Sequence, residues 1–340
     1  MPNLKFLHAK DVDFDGYLEG SLAELRWLKW EKCCDSFEAI DFHLEKLVVL
    51  DLSCKYNSGN HISENWRGWS SIKMERLKVL NLSRCLGLKS TPNLSMFKNL
   101  EMLILKNCAC LEEIDPSIGD VKRLVFLNLS RCKGLKKLPE QLGELENLEE
   151  LVVDETQIKE IPPCIGSLKK LKTLSAKHCL QPIEVPSSIV EYCKLQPIPS
   201  SIGKLRELVE LDLSYTGIKE LPESIEEFNK LKILRICGSG MERLPSSIGR
   251  LQSLQEINAD GCFDLEGQIH FDKGGLSSLK TLRLAFAKIS GLPENLDQLH
   301  SLEHLDLLCL ESLSHSRNLL LTYHPRSSPV RAMSCHRSLT

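Results

Sequence analysis

The sequence predicts an α/β repeat solenoid, with a parallel sheet on its concave side and short helices or turns on its convex side. Three observations lead there. Leucine recurs at fixed offsets through most of the 340 residues. The spacing between recurrences holds at 21 to 25 residues for most of that length. Finally, 42% of residues are hydrophobic but only 6% aromatic, so aliphatic side chains must fill the core.

The clearest stretch is Leu124–Leu148, LVFLNLSRCKGLKKLPEQLGELENL. It places leucine at 124, 127 and 129, Cys132 three residues on, then Leu135, Leu138, Leu142 and Leu145. This is the leucine-rich-repeat pattern L-x-x-L-x-L-x-x-(N/C)-x-L. Counted at the first leucine, repeats start at 4, 25, 47, 77, 100, 124, 148, 171, 208, 231, 254, 279 and 302. The L-x-x-L-x-L segment alternates as a short strand does. One repeat cannot bury its own leucines, so stacking is required and the expected shape is a horseshoe. Thirteen strands about 4.8 Å apart make an inner face of roughly 60 Å.

Two sub-types follow the strand. In one, cysteine precedes leucine by three residues (Cys85, Cys108, Cys132); in the other, threonine precedes isoleucine by two (Thr156, Thr216). Of fourteen cysteines, Cys33, Cys85, Cys108, Cys132, Cys179 and Cys262 share the position eight after the first leucine. A small buried thiol with a weak S–H donor suits that slot, and these residues read as structural, reduced thiols. Pro186, Pro199, Pro222 and Pro245 lead into Ser/Glu-Ser-Ile segments, which predicts proline in the first turn of a short outer helix. Trp30, Trp66 and Trp69 are expected to pack within the early repeats.

Two intervals are irregular. Residues 47–77 include Asn57-Ser58-Gly59-Asn60, a surface-loop composition. Residues 171–208 carry Pro-Ser-Ser-Ile twice, as a local duplication bulging from the outer side or as a degenerate extra repeat. The expected organisation is a repeat domain over 1–310 and a tail over 311–340. That tail holds four arginines, many serines and one acid, and reads as a disordered end rather than a basic arm.

Several functions are excluded by what the chain lacks. A net charge of −3 gives no reason to expect nucleic acid or an anionic membrane as partner. No apolar run is long enough to span a bilayer, and MPNLKFLHAK has no apolar core of a secretion signal, so a cytoplasmic location, with or without the nucleus, is expected. Asn81, Asn93 and Asn128 head N-x-S sequons that read as chance. There is no phosphate-cradling loop, no nucleophile elbow and no H-E-x-x-H. Gly238-Ser239-Gly240 falls in a repeat turn. Cys108/Cys110 and His300/His304 have only loosely metal-like spacing, on residues that the register separates. The chain is expected not to be an enzyme and to hold neither cofactor nor metal.

The side chains two, four, six and seven after each first leucine should face the concave sheet or its edge. Early repeats place Trp27, Lys29, Lys32, Arg84, Lys106, Phe126 and Arg131 there. The middle places Glu150, Asp154, Glu155, Lys177, Glu210, Asp212 and Tyr215, and the later repeats Arg235, Glu256, Asp260, Arg283 and Phe286. The face therefore reads as basic with aromatics, then acidic, then mixed. Tryptophan, tyrosine and arginine anchor protein interfaces, and blocks of charge orient partners.

Beyond the bare repeat, LRWLKW (25–30), LVVLDLS (47–53), Trp66, LKVLNLSRC (77–85) and TPNLS (91–95) stand out. Together they resemble the leucine-rich-repeat region of plant intracellular disease resistance proteins. The class resembled has a Toll/interleukin-receptor-like domain before a nucleotide-binding switch. The resemblance covers about residues 3–308 and implies a module that senses a pathogen effector or guarded host protein and restrains the switch. Partners implied are therefore proteins: effector, guarded protein or the receptor's own nucleotide-binding domain. No Toll-like or nucleotide-binding segment precedes Met1 and no polar cap closes either end, so a fragment or truncated form is expected. The LPxSIGxL phrases equally resemble Ras-associated leucine-rich-repeat signalling scaffolds, but LRWLKW does not.

Overall fold

A computed structural model describes residues 3–12, 22–32, 44–54, 62–66, 68–72, 74–179, 198–268, 275–291 and 296–308. The chain forms two compact units, Met1–Ile158 with Cys164–Leu171, and Lys159–Pro163 with Lys172–Thr340. Every one of the thirteen repeat starts is followed, two residues on, by a strand.

In the first unit these strands are β1 (Phe6–Lys10), β2 (Trp27–Glu31), β3 (Val49–Asp51), β4 (Val79–Asn81), β5 (Met102–Ile104), β6 (Phe126–Asn128) and β7 (Glu150–Val152). They pair in parallel in chain order, in one unbroken register that sets Leu50, Leu80, Leu103, Leu127 and Leu151 side by side. Those leucines are wholly buried while the residues on either side are half exposed. A one-residue slip would turn each of them to solvent, which fixes the register. Where the repeat lengthens between 47 and 77, aromatic side chains fill the space. Trp66 meets Trp30 edge-on at 6.3 Å and Trp69 at 4.9 Å, and Trp69 meets Phe97 at 6.5 Å. Gly68 opens a one-turn helix, Gly68–Ser71, directly against the Trp66 ring. A Cβ there would lie 2.3 Å from that ring, so only glycine fits. The expected loop at 57–60 lies outside the described residues.

The second unit carries β8 (Thr173–Ser175), β9 (Glu210–Asp212), β10 (Ile233–Arg235), β11 (Glu256–Asn258), β13 (Thr281–Arg283) and β15 (His304–Asp306), paired in that order. Two further strands, β12 (Glu266–Gln268) and β14 (Lys288–Gly291), make a small parallel pair that the leucine pattern does not predict. β8 pairs directly with β9 across the long interval, so no strand is inserted between them. Residues 180–197, including the first Pro-Ser-Ser-Ile, lie outside the described residues, as do Cys33 and the expected tail at 311–340.

Opposite elements are five-residue 3-10 turns: Pro116–Asp120 and Glu140–Glu144 in the first unit, Ser200–Lys204, Glu223–Glu227 and Ser246–Arg250 in the second. Strands neighbour strands and turns neighbour turns, giving two layers with leucine between. The sequence places proline inside the first turn; in the structure Pro199, Pro222 and Pro245 sit one residue earlier, in extended conformation at the cap. Proline's fixed φ suits that extended residue equally well.

The way each strand ends is visible only in three dimensions. At the fourth position, an Asn or Asp oxygen accepts the N–H of the sixth. Asn81 takes Ser83, Asn128 takes Ser130, Asp51 takes Ser53 and Asp212 takes Ser214, at 2.9–3.1 Å. The N-x-S triplets at Asn81 and Asn128 thus have a structural use. The seventh position is left-handed: Arg84, Asn107, Arg131, Glu155, His178, Tyr215 and Phe286 all have φ between 53° and 65°. Each such residue costs of order 1 kcal/mol, offset by its N–H bonding the next rung, as Arg131 does to Asp154 at 2.7 Å.

The eighth position closes the turn in two ways. Cys85, Cys108, Cys132 and Cys262 donate their thiols to the fifth-position carbonyl of the preceding rung (Leu52, Leu82, Leu105 and Ile236) at 3.7, 3.0, 3.1 and 2.9 Å. Thr156 and Thr216 instead close their own rung, onto Val153 and Leu213, at 2.7 and 2.6 Å. The sequence sub-types are therefore two hydrogen-bonding solutions for the fifth-position carbonyl, the preceding rung's in one and the same rung's in the other.

Two measurements check this arrangement. Leu103→Ala should lower stability to urea by about 2–5 kcal/mol, and its neighbour Met102→Ala by about 1 kcal/mol or less, because only the first is inside. Cys110 is exposed, whereas burial and then Glu140 push the Cys164 thiol up to about 11. A raised thiol pKa means little thiolate until pH nears that value. Mass-spectrometric mapping of iodoacetamide adducts should show Cys110 labelled before Cys164 at about pH 8, with Cys164 accelerating steeply as pH rises towards 11.

Candidate protein-binding face

The residues two and four after each first leucine point away from the buried leucines and build a face in each unit. In the first unit, register places position two in one row: Phe6, Trp27, Val49, Val79, Met102 and Phe126, ending at Glu150. Phe6 is 56% exposed and stacks on Trp27, ring centres 3.8 Å apart and planes 9° apart. Of this row, the sequence pattern brings out only Trp27, Phe126 and the terminal Glu150 as binding residues. The signal for the others is present, but it lies down the column of repeats rather than along any one of them.

The basic residues expected here are placed unequally. Lys29 is only 12% exposed and its ammonium is held by Asp51 at 3.2 Å and Glu31 at 3.7 Å. Lys32 pairs with Asp11 at 2.9 Å, and Arg131 with Glu155 at 3.0 Å. Arg84, half-buried, lies on the left-handed turn after β4, and Lys106 projects exposed after β5. Glu150 is on β7 and Asp154 on the turn beyond it, both half-buried. The early face is less basic than its composition, because much of its charge is consumed internally.

In the second unit the acidic and basic residues interleave. Asp212 is buried, accepts the Ser214 N–H at 3.1 Å and lies 3.7 Å from Lys177. The Arg235 guanidinium bridges Glu210 on one side and Glu256, at 3.1 Å, on the other. Arg283 reaches Asp260 at 2.6 Å and Asp306 at 3.8 Å. Burial raises the Asp260 pKa, opposed by the Ala285 N–H at 3.0 Å and by Arg283. The acidic middle is thus a lattice of ion pairs. Tyr215, 45% exposed, stacks on His178 at 4.4 Å, and its ring lies over Gly238, where a Cβ would come within 2.6 Å.

Among the described residues no cluster of His, Cys, Asp and Glu is arranged to hold a metal. Cys108 is buried and Cys110 exposed, and His304 is on β15 while His300 precedes it on a turn. No helix among the described residues is long and apolar enough to cross a membrane.

A stack of short parallel strands backed by tight turns, with an open face of variable side chains, defines a repeat protein built to present surface. The family model for the leucine-rich repeat region matches residues 76–196 and 188–317, and the chain belongs to that family. Its repeats are similar to those of plant disease resistance proteins. It is 36% identical over 99 residues to disease resistance protein RPV1 of Vitis rotundifolia, covering 29% of this chain and 7% of RPV1. With disease resistance protein RML1A of Arabidopsis thaliana it shares 34% identity over 125 residues, 35% of this chain and 12% of that protein. The matched stretches are thus a small part of those relatives' length. Among solved structures, the functional domain of InlJ from Listeria monocytogenes, which includes a cysteine ladder, superposes with a TM-score of 0.60 at 19% identity, covering 91% of this chain and 59% of that one. The Arabidopsis receptor kinase HAESA gives 0.54 at 21% identity, over 92% and 48%. Both share the fold.

Replacing Arg235 with methionine should cost about 1 kcal/mol or less, since its pairs are partly exposed, and the loss should shrink further in high salt. Urea titrations at two ionic strengths read both effects.

Proposed function

We propose that this chain is a non-catalytic recognition module of a plant intracellular immune receptor. In this reading it senses a pathogen effector or a guarded host protein and restrains a nucleotide-binding switch. The likeness of its repeats to two disease resistance proteins, at 34–36% identity, carries the reading. Physical support comes from the sheet faces, which carry aromatic and charged side chains, most of them at least partly exposed. Trp27, Lys29, Arg84, Lys106, Phe126 and Arg131 belong to the first, with Glu150 and Asp154 at its end. Lys177, Asp212, Tyr215, Arg235, Asp260 and Arg283 belong to the second. Aromatic residues and arginine on such faces supply most of the binding energy of protein interfaces.

The test is co-immunoprecipitation, in leaf tissue, of the tagged chain with the nucleotide-binding segment of a plant disease resistance receptor. Reversing charge at Arg84, Lys106 and Arg131 together should reduce recovery about fivefold or more, by removing steering and pairing at once. Recovery unchanged by the triple reversal, or no association from the unaltered chain, counts against the reading.

A further inference from the structure

We infer that the sheet face of the first unit is a docking site for an acidic amphipathic helix of about four turns; this rests on reading that face as a recognition surface. Three observations converge on that occupant.

The first is the apolar row. Phe6, Trp27, Val49, Val79, Met102 and Phe126 occupy one position on six consecutive strands, and none is wholly buried. At about 4.8 Å per strand the row is about 24 Å long. It stops at a charge, Glu150.

The second is geometry. Each strand from β2 to β6 is hydrogen-bonded on both edges, so no ladder is open within the row to an extended segment. A helix satisfies its own backbone and can lie across the strands. Its pitch of about 5.4 Å nearly matches the strand spacing, so successive turns meet successive side chains. The mismatch of about 0.6 Å per turn accumulates to half a strand spacing after about four turns, which sets the length.

The third is charge. The strand and turn positions that frame the row (5–11, 26–32, 48–54, 78–84, 101–107 and 125–131) hold nine lysines and arginines against four carboxylates. All four carboxylates already hold a lysine: Asp11 with Lys32 at 2.9 Å, Glu31 with Lys29 at 3.7 Å, Asp51 with Lys29 at 3.2 Å and Glu101 with Lys78 at 2.6 Å. Lys5, Lys10, Arg26 and Lys106 are exposed and form no ion pair among the described residues. An incoming carboxylate therefore meets cations without displacing a resident partner, whereas an incoming ammonium meets only occupied acids. A nucleic acid would use the cations and the aromatic ends of the row but leave Val49, Val79 and Met102 between them uncovered.

The probe is a fluorescein-labelled helical peptide of about 18 residues, with leucine at i, i+3, i+4 and i+7 and glutamate flanking that face. Controls are the same peptide with lysine for glutamate, its scrambled sequence, and an oligothymidylate of equal charge. Anisotropy with the full 340-residue chain should show the glutamate peptide binding about tenfold or more tightly than any control, and weakening as salt rises. Met102→Glu and Phe126→Glu should each weaken it about tenfold, and Lys106→Glu by less, with unchanged circular dichroism. A change in tryptophan fluorescence on adding unlabelled peptide, lost in Trp27→Phe, gives a second readout. Equal binding of the lysine or scrambled peptide, tighter binding of the oligonucleotide, or full affinity in a folded Met102→Glu overturns the inference. If the glutamate peptide fails while the nucleotide-binding segment is still recovered, and lost on the triple reversal, the helix falls and the recognition reading stands; failure of both removes both.

Discussion

Everything in this molecule depends on closing the backbone at the end of a three-residue strand. The chain must leave the sheet and enter the leucine layer within four residues, where an unsatisfied carbonyl or amide costs about 1–3 kcal/mol. Three successive devices do it. The fourth-position amide or carboxylate takes the sixth N–H, and the left-handed seventh residue sends its N–H to the next rung. The eighth-position thiol or hydroxyl then covers the fifth carbonyl. Because a repeat touches only its neighbours, an error at one rung is repeated in no other, but it also cannot be compensated from a distance.

That closure explains why cysteine and threonine are both tolerated at the eighth position. The thiol is long enough to reach back to the preceding rung and stays protonated and able to donate: the neighbouring Cys108 and then burial raise the Cys132 pKa, and burial raises that of Cys262. Threonine's shorter hydroxyl bonds the fifth carbonyl of its own rung, so where the cysteine bond ties two rungs together the threonine bond ties one rung to itself. The sequence shows the alternation without its meaning, since one-letter spacing does not say which carbonyl a side chain can reach.

Leucine periodicity made the fold legible down to the start of each strand, because leucine is held at so fixed an interval only where every repeat must bury it against the next. Trp30, Trp66 and Trp69 pack as their early-repeat positions imply. The β12–β14 pair was invisible, since Glu266-Gly267-Gln268 has no apolar alternation. The site was legible in outline only. Lys29 lies on β2 and Arg131 on the turn after β6, as the register implies, yet whether such a charge is spent on Asp51 or Glu155 depends on residues 22 or 24 positions away. The apolar row of the first unit is likewise spread one residue per repeat, so no local window contains it.

The two faces consequently differ in what they can offer a partner. In the second unit Arg235 and Arg283 are each shared between two carboxylates. A partner's charge would have to break such a pair before gaining anything, so in the proposed recognition role these residues would contribute orientation more than affinity. The first unit offers half-exposed Phe126, Met102 and Val79 in line, whose remaining surface can be buried without breaking any polar contact. Binding energy follows apolar surface removed from water once desolvation of charge is avoided. In the proposed docking site, affinity would therefore be concentrated where the charges are already quiet and the apolar row is open. The leucines behind it, fixed by the turn closures, hold the row rigid enough to be recognised.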